Sequence, residues 1–158
     1  VFSDVVPVES AEEMFQKTKQ NITEQDIAIF CAAVSDFSPK KKSSEKITSQ
    51  KELQQTLSLE LVHTTDIASE CGKIKMKHQK FFGFALETSE NGKHIAQEKC
   101  IRKNLDGIFL NTTEALGNDD SSVQFLSKNV VEEKIFSGDK TKLAKHMWNE
   151  MEGIILPQ

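Results

Sequence analysis

The chain has 158 residues, 37% of them hydrophobic, a size and composition that suit one domain with a real core rather than a disordered segment. Its formal charge of -4, from 20 Lys and Arg against 24 Asp and Glu, argues against a general nucleic-acid binder, because there is no basic excess to displace counterions along a phosphate backbone. No apolar run approaches the length of a bilayer span and no signal segment opens the chain, so a soluble cytoplasmic protein with neither membrane nor nucleic acid as partner is expected.

In chain order, the β-branched residues of 4–9 read as a short strand entered without a capping segment before it. Ser10-Ala11-Glu12-Glu13 is a capping box, and a helix to about Lys19 follows with Met14 and Phe15 on its apolar stripe, where core packing is the ordinary meaning. Residues 27–34 are apolar and too short for an ordinary helix, which predicts a strand buried on both faces. The lysine- and serine-rich loop through Ser49 carries Lys40-Lys41-Lys42, read as a solvated run because no aromatics are interleaved for base stacking. Strict alternation over 57–62 predicts a strand with one wet face. The next helix begins around Thr64-Thr65-Asp66, with Thr64 as the cap, and stops at Gly72.

Phe81-Phe82-Gly83-Phe84-Ala85-Leu86 is a buried strand whose interior Gly83 marks a close approach by another backbone or a ligand. A turn at Asn91-Gly92 leads to a helix over 93–103 with Lys99 and Lys103 four apart on one face, by default a solvated face. Residues 105–111 supply a further strand, Gly117-Asn118-Asp119-Asp120 a polar turn, and 123–126 with 130–136 an antiparallel hairpin about Lys128-Asn129. The last helix, 139–152, lines up Leu143, Ala144, Met147, Trp148 and Met151, with Trp148 as a core anchor. Alternating strands and helices call for an α/β fold: a Rossmann-like three-layer domain with a mainly parallel sheet, helices on both faces and the hairpin at one edge.

The chemistry is legible mainly by elimination. There is no GxSxG nucleophile elbow, no glycine-rich phosphate loop, and no Cys or His pair at zinc spacing; Cys31, Cys71 and Cys100 read as reduced thiols. What remains is a set of strand-end features suited to an anionic ligand. Ala32 and Ala33 are small enough for a flat ligand to approach their backbone, Asp36 offers a carboxylate to a metal ion, and Lys46 a charge to phosphate. The helix start at Thr65-Asp66-Ile67-Ala68 and the Lys99/Lys103 face complete a set suited to a triphosphate.

The motifs DIAIFCAAVSDF (26–37), EKI (45–47), TDIA (65–68), FGFALET (82–88) and KCIRKNLDGIFLN (99–111) resemble, in order and spacing, the bacterial phosphopantothenate-cysteine ligase domain. The likeness runs from about Val5 to the last helix, and the whole chain is read as one such domain. It implies coenzyme A biosynthesis: CTP-dependent ligation of 4'-phosphopantothenate to L-cysteine through an acyl-cytidylate, in a homodimer. Mg2+ is implied with the CTP, and FMN only in a fused flavin-dependent decarboxylase outside this chain. By position, Ala32 and Ala33 would meet the cytosine, and Asp36 would serve the magnesium-triphosphate. Lys46 would be the mobile-loop lysine, acting catalytically as charge develops on the phosphates. Thr65, Asp66, Ile67 and Ala68 would present a helix start, Phe84 would flank the nucleotide, and Lys99 and Lys103 would hold phosphate oxygens. The family's flap reads KxKK, whereas this chain has Lys46-Ile47-Thr48-Ser49 and keeps only the first lysine. The family's first strand, glycine-rich turn and acyl-handling asparagine are expected ahead of Val1. Two further readings stay open: a noncatalytic CTP-binding module, and a plain α/β interaction domain.

Overall fold

A computed structural model describes residues 4–41, 58–111, 121–128 and 134–156. The helices are α1 (Ala11–Asn21), α2 (Ile67–Lys73), α3 (Gly92–Arg102) and α4 (Lys140–Ile155). The strands are β1 (Ile27–Phe30), β2 (Phe37–Pro39), β3 (Leu61–His63), β4 (Lys80–Leu86), β5 (Gly107–Asn111), β6 (Ser121–Ser127) and β7 (Lys134–Gly138). The main sheet has the order β1-β4-β5-β6-β7. β1, β4 and β5 run parallel, and β6 and β7 add the expected antiparallel hairpin at one edge.

The period-2 alternation of the central strands sends side chains to two cores. On one face Phe81, Ala85, Ile108 and Leu110 pack with Ile67 and Cys71 of α2 and Ala96 and Cys100 of α3, and α1 adds Met14 and Phe15. On the other face Phe82, Phe109, Val123 and Phe125 meet Leu143 and Met151 of α4. The fold is therefore Rossmann-like, an open sheet with helices on both faces. Among the described residues no helix is long and apolar enough to cross a membrane.

The helix starts obey local chemistry. Ser10 Oγ accepts from Glu13 N at 3.2 Å, while Glu13 Oε2 accepts from Glu9 N at 2.8 Å, one residue earlier than a regular capping box would have it. Asp139 caps α4 through Lys142 N at 2.9 Å, and that hydrogen bond holds its carboxyl below the usual range.

Several expectations are corrected. Residues 4–8 form no strand and are exposed, with Val5 83% accessible, because among the described residues no strand edge pairs with them. β1 ends at Phe30 rather than 34, and Ile29 is exposed, since β1 lies at the edge of the described sheet. Phe37–Pro39, read as loop, pairs antiparallel with Leu61–His63 as a separate two-stranded arm, and all three β3 residues are exposed instead of alternating. Asp66, not Thr64, caps α2. α2 ends at Lys73, one residue past the stop expected at Gly72, which is buried within the helix. Trp148 is 48% exposed: Leu143, Met147 and Met151 form the inward line of α4, and Ala144 and Trp148 sit one residue further round, toward solvent. The turns expected at 117–120 and at Asn129 lie outside the described residues.

Candidate functional site

At the carboxyl ends of β1 and β4 the chain forms a cleft of about 360 Å3, within the range of small-molecule sites. Its floor is the sheet itself, at Gly83 and Phe84 of β4 with Ile108 of β5. A Cβ at position 83 would come 2.8 Å from Leu105 Cδ1, so glycine is what leaves room here for the Leu105 side chain beneath the cleft. Phe84 is held by a tilted ring contact with Phe109, centroids 5.3 Å apart.

One wall is the segment after β1. Val34 N donates to Ala32 O at 3.1 Å, closing a three-residue turn centred on Ala33. The turn leaves Ala32, Ser35 and Asp36 lining the cleft, while Ala33 is exposed and does not line it. An adjoining wall is the Thr64–Ala68 segment leading into α2. The two walls are tied together: Thr64 N donates to Asp36 O at 2.9 Å, continuing the β2–β3 ladder. Lys40 pairs with Glu60 on that arm, both exposed, in keeping with the solvated reading of the lysine run. Lys46 lies outside the described residues.

Two cations reach the cleft from α3, and each is held by a carboxylate. Lys99 Nζ bonds Glu87 Oε1 at 2.5 Å, and Lys103 Nζ lies 3.1 Å from Asp66 Oδ1. Asp66 has a second duty, since the same oxygen accepts from Ser69 N at 3.1 Å as the α2 cap. An ammonium has three donors, so each lysine keeps N–H groups for a ligand while its carboxylate fixes its position. Neither lysine is a plain solvated side chain: Lys103 is 23% exposed and Lys99 38%.

Asp36 is exposed at the rim. Among the described residues no group of three or more His, Cys, Asp or Glu side chains converges on a point that could hold a metal ion alone. Asp36 therefore fits Mg2+ only as one carboxylate beside a ligand's phosphate oxygens, the manner in which that hard, reluctantly dehydrated ion is commonly bound.

The structure thus brings Ala32, Asp36, Thr65, Asp66, Ile67, Ala68, Phe84, Lys99 and Lys103 to one cleft. It adds residues that the sequence reading missed. Met14 and Thr18 of α1 line it, although Met14 sits on a stripe read as core. Cys31 also lines it and is the exposed one of the three free cysteines. Thr64 lines it as well, and its Oγ1 is buried without a hydrogen-bond partner.

Parallel strands whose carboxyl ends open on a cleft with two positioned cations define a Rossmann-like α/β domain with a site suited to an anionic ligand. The chain belongs to the family described as DNA/pantothenate metabolism flavoprotein C-terminal domain, which it matches over residues 2–154. It is 31% identical over 144 residues to the coenzyme A biosynthesis bifunctional protein CoaBC of Borreliella burgdorferi, covering 91% of this chain and 36% of that protein. It is also 43% identical over 114 residues to a protein named cysteine/cysteine sulfinic acid decarboxylase from an unknown prokaryotic organism, covering 72% of this chain and 31% of that one. The chain therefore spans about a third of the length of these relatives. Among solved structures, the DNA/pantothenate metabolism flavoprotein from Streptococcus pneumoniae superposes with a TM-score of 0.73 at 18% identity, over 95% of this chain and 70% of that one. That likeness is one of fold.

Proposed function

We propose that this domain binds CTP in the cleft and belongs to an enzyme that ligates 4'-phosphopantothenate to L-cysteine in coenzyme A biosynthesis. The observation that carries the reading is the convergence of Asp36, the Thr65–Ala68 segment, Phe84, Lys99 and Lys103, from separate elements, on one cleft at the strand ends. The family and the bifunctional CoaBC relative support the pathway.

In this reaction a carboxylate oxygen of phosphopantothenate attacks the α-phosphorus of CTP, and pyrophosphate departs with the electrons of the broken P–O bond. The cysteine amine then adds to the acyl carbon, loses a proton and expels CMP, leaving the amide. The domain's contribution is positioning and charge stabilisation. Ala32 leaves room for the base, and Ala33 shapes the turn that presents it. Lys99 and Lys103, steadied by Glu87 and Asp66, donate to phosphate oxygens. Asp36 would hold Mg2+ together with the ligand's phosphates, and the ion would supply Lewis-acid neutralisation of the triphosphate. Lys46 is assigned the catalytic neutralising role during acyl transfer. Any FMN belongs to a fused decarboxylase elsewhere in the whole protein. Exposed apolar residues on the β2–β3 arm, Phe37, Leu61 and Val62, support a homodimer as part of the same reading.

The test is pyrophosphate release by the full-length protein. Release that requires phosphopantothenate and CTP together is expected, and release independent of phosphopantothenate overturns the ligase reading. Lys46→Gln should slow it at least tenfold, and an unchanged rate overturns the role given to Lys46.

A further inference from the structure

α3 ends in a turn that glycine usually makes. Leu105 N donates to Cys100 O at 2.9 Å and Asn104 N to Ile101 O at 3.0 Å, the paired bonds of a Schellman motif, with Lys103 as the C-cap and Asn104 just beyond it. Asn104 has φ 53°, and among the described residues it is the one non-glycine with a left-handed backbone. Glycine takes that conformation without strain, so an asparagine here is explained by what its side chain does. Its Nδ2 donates to Gly72 O at 2.9 Å, in the last turn of α2, and its Oδ1 accepts from Lys128 Nζ at 2.6 Å. The backbones also meet: a Cβ at Gly72 would come 2.1 Å from Lys103 O. One residue before Asn104, the Lys103 side chain reaches the other end of the same helix, its Nζ 3.1 Å from Asp66 Oδ1 at the α2 N-cap. The dipeptide Lys103-Asn104 thus holds the seven-residue α2 at both ends.

We propose that Asn104 is a positioning residue for the ligand: by fixing the end of α3 against α2, its side chain sets where the Lys103 ammonium stands in the cleft. The assignment rests on the nucleotide reading of the cleft, which uses Lys103 and gives Asn104 no part. A lysine ammonium rides on a flexible stem, and a free one loses much rotamer freedom when it is fixed by a ligand. Here Asn104 anchors the backbone of Lys103 and Asp66 holds its Nζ, so less freedom remains to be lost when a phosphate binds. Asn104 does not itself line the cleft, whereas Lys103 and Asp66 do. Its influence on a bound anion therefore passes through Lys103.

Asn104→Gly deletes the amide and keeps the turn, which glycine adopts more easily, so its ligand-free Tm should stay within about 5 °C of wild type. The full-length protein and this variant are first compared without ligand, by acetic anhydride labelling of lysines read residue by residue in a mass spectrometer. Loosening Lys103 from Asp66 should raise its labelling rate about threefold, the worth of a partly exposed ion pair. Lys99, whose partner Glu87 is untouched, should label as before. Calorimetric titration with Mg·CTP should then give a Kd raised about fivefold or more in Asn104→Gly, within the coupling range of residues in one network. Added to Lys103→Gln, the same substitution should change the Kd by less than about twofold, because the group it positions is already gone. An unchanged Lys103 labelling rate, or an unchanged Kd where the wild type binds, overturns the assignment and leaves the nucleotide reading standing. So does a Kd loss as large in the Lys103→Gln background as in the wild type. A ligand-free Tm lowered by more than about 5 °C also overturns it, since the amide would then support the fold at large. If the wild type shows no saturable binding of Mg·CTP, the nucleotide reading itself fails and this assignment with it.

Discussion

Substituting Gly72 by alanine should destabilise the domain, although alanine is by far the better helix former. A Cβ at 72 would lie 2.1 Å from Lys103 O, 2.9 Å from Lys103 C and 3.2 Å from Asn104 Cβ. The obstacle is mostly backbone, so relief requires moving α2 away from the end of α3 by about 1 Å, a kind of overpacking that costs roughly 1–3 kcal/mol. The shift also stretches the bond from Asn104 Nδ2 to Gly72 O, now 2.9 Å long. Losing it adds about 1 kcal/mol. Helix propensity returns about 1 kcal/mol, which leaves a net loss of roughly 1–3 kcal/mol. For a domain of this size that corresponds to a Tm lowered by about 3–10 °C. Urea unfolding followed by far-UV circular dichroism measures it. Because the same displacement pulls Asp66 from Lys103, Mg·CTP affinity should fall with it. A Gly72→Ala protein as stable as wild type, or more stable as propensity alone predicts, would refute the close-approach argument.

Other consequences follow from particular groups. Asp106 Oδ2 accepts from Phe81 N at 2.6 Å and pairs with Lys75, whose side chain is only 7% exposed. Burial lowers the Lys75 pKa and Asp106 opposes that, so Asp106→Ala leaves the buried ammonium the Asn104 carbonyl at 3.1 Å but no counter-charge and should cost about 3–5 kcal/mol in urea unfolding. Lys75→Met, which leaves Asp106 its Phe81 amide, should cost less. A thiol reagent should label Cys31 in the native protein and reach Cys71 and Cys100 only on unfolding, and labelling of all three in the native state contradicts the burial described. Burial pushes the Cys100 thiol from 9.0 up to about 11. Between those values the unfolded chain loses the proton that the folded one keeps, so this group's stabilising contribution is complete below pH 9 and is lost as pH rises toward 11. The loss amounts to about 2–3 kcal/mol at most. The lowered pKa of Lys75 acts in the opposite sense below 10.5, so the comparison that isolates the thiol is wild type against Cys100→Ala. Urea midpoints should fall less steeply from pH 9 to 10.5 in the variant, and equal slopes would contradict the assignment.

Much of the fold was legible because its signals are local. Ser10 and Asp139 cap helices that follow at once, and the apolar runs of β4 and β5 match their burial. The pairing of the β2–β3 arm was not, since alternation over 57–62 pointed to a strand that reaches β3, but its partner at Phe37 lies across a long stretch of chain and was read as loop. Trp148 was misjudged for a related reason: a line of apolar residues along a helix does not reveal which of two adjacent lines meets the sheet. Gly72 marked the end of α2 to within one residue, but its packing constraint, the carbonyl of Lys103, comes from another part of the chain and left no local signal. At the site, Lys99 and Lys103 were named by motif and position, but that Glu87 and Asp66 hold them depends on strands and helices brought together from across the chain. The Thr64 hydroxyl had no signal at all, because burial without a partner is a property of the folded neighbourhood.

Calorimetric titration of the full-length protein and its Lys103→Gln variant shows whether this cleft takes Mg·CTP. A single saturable site per chain is predicted for the wild type. In the variant, affinity should fall about tenfold to a hundredfold, as expected for one charge-assisted hydrogen bond to phosphate. Absence of saturable binding to the wild type, or equal affinity in the variant, would contradict nucleotide binding at this cleft.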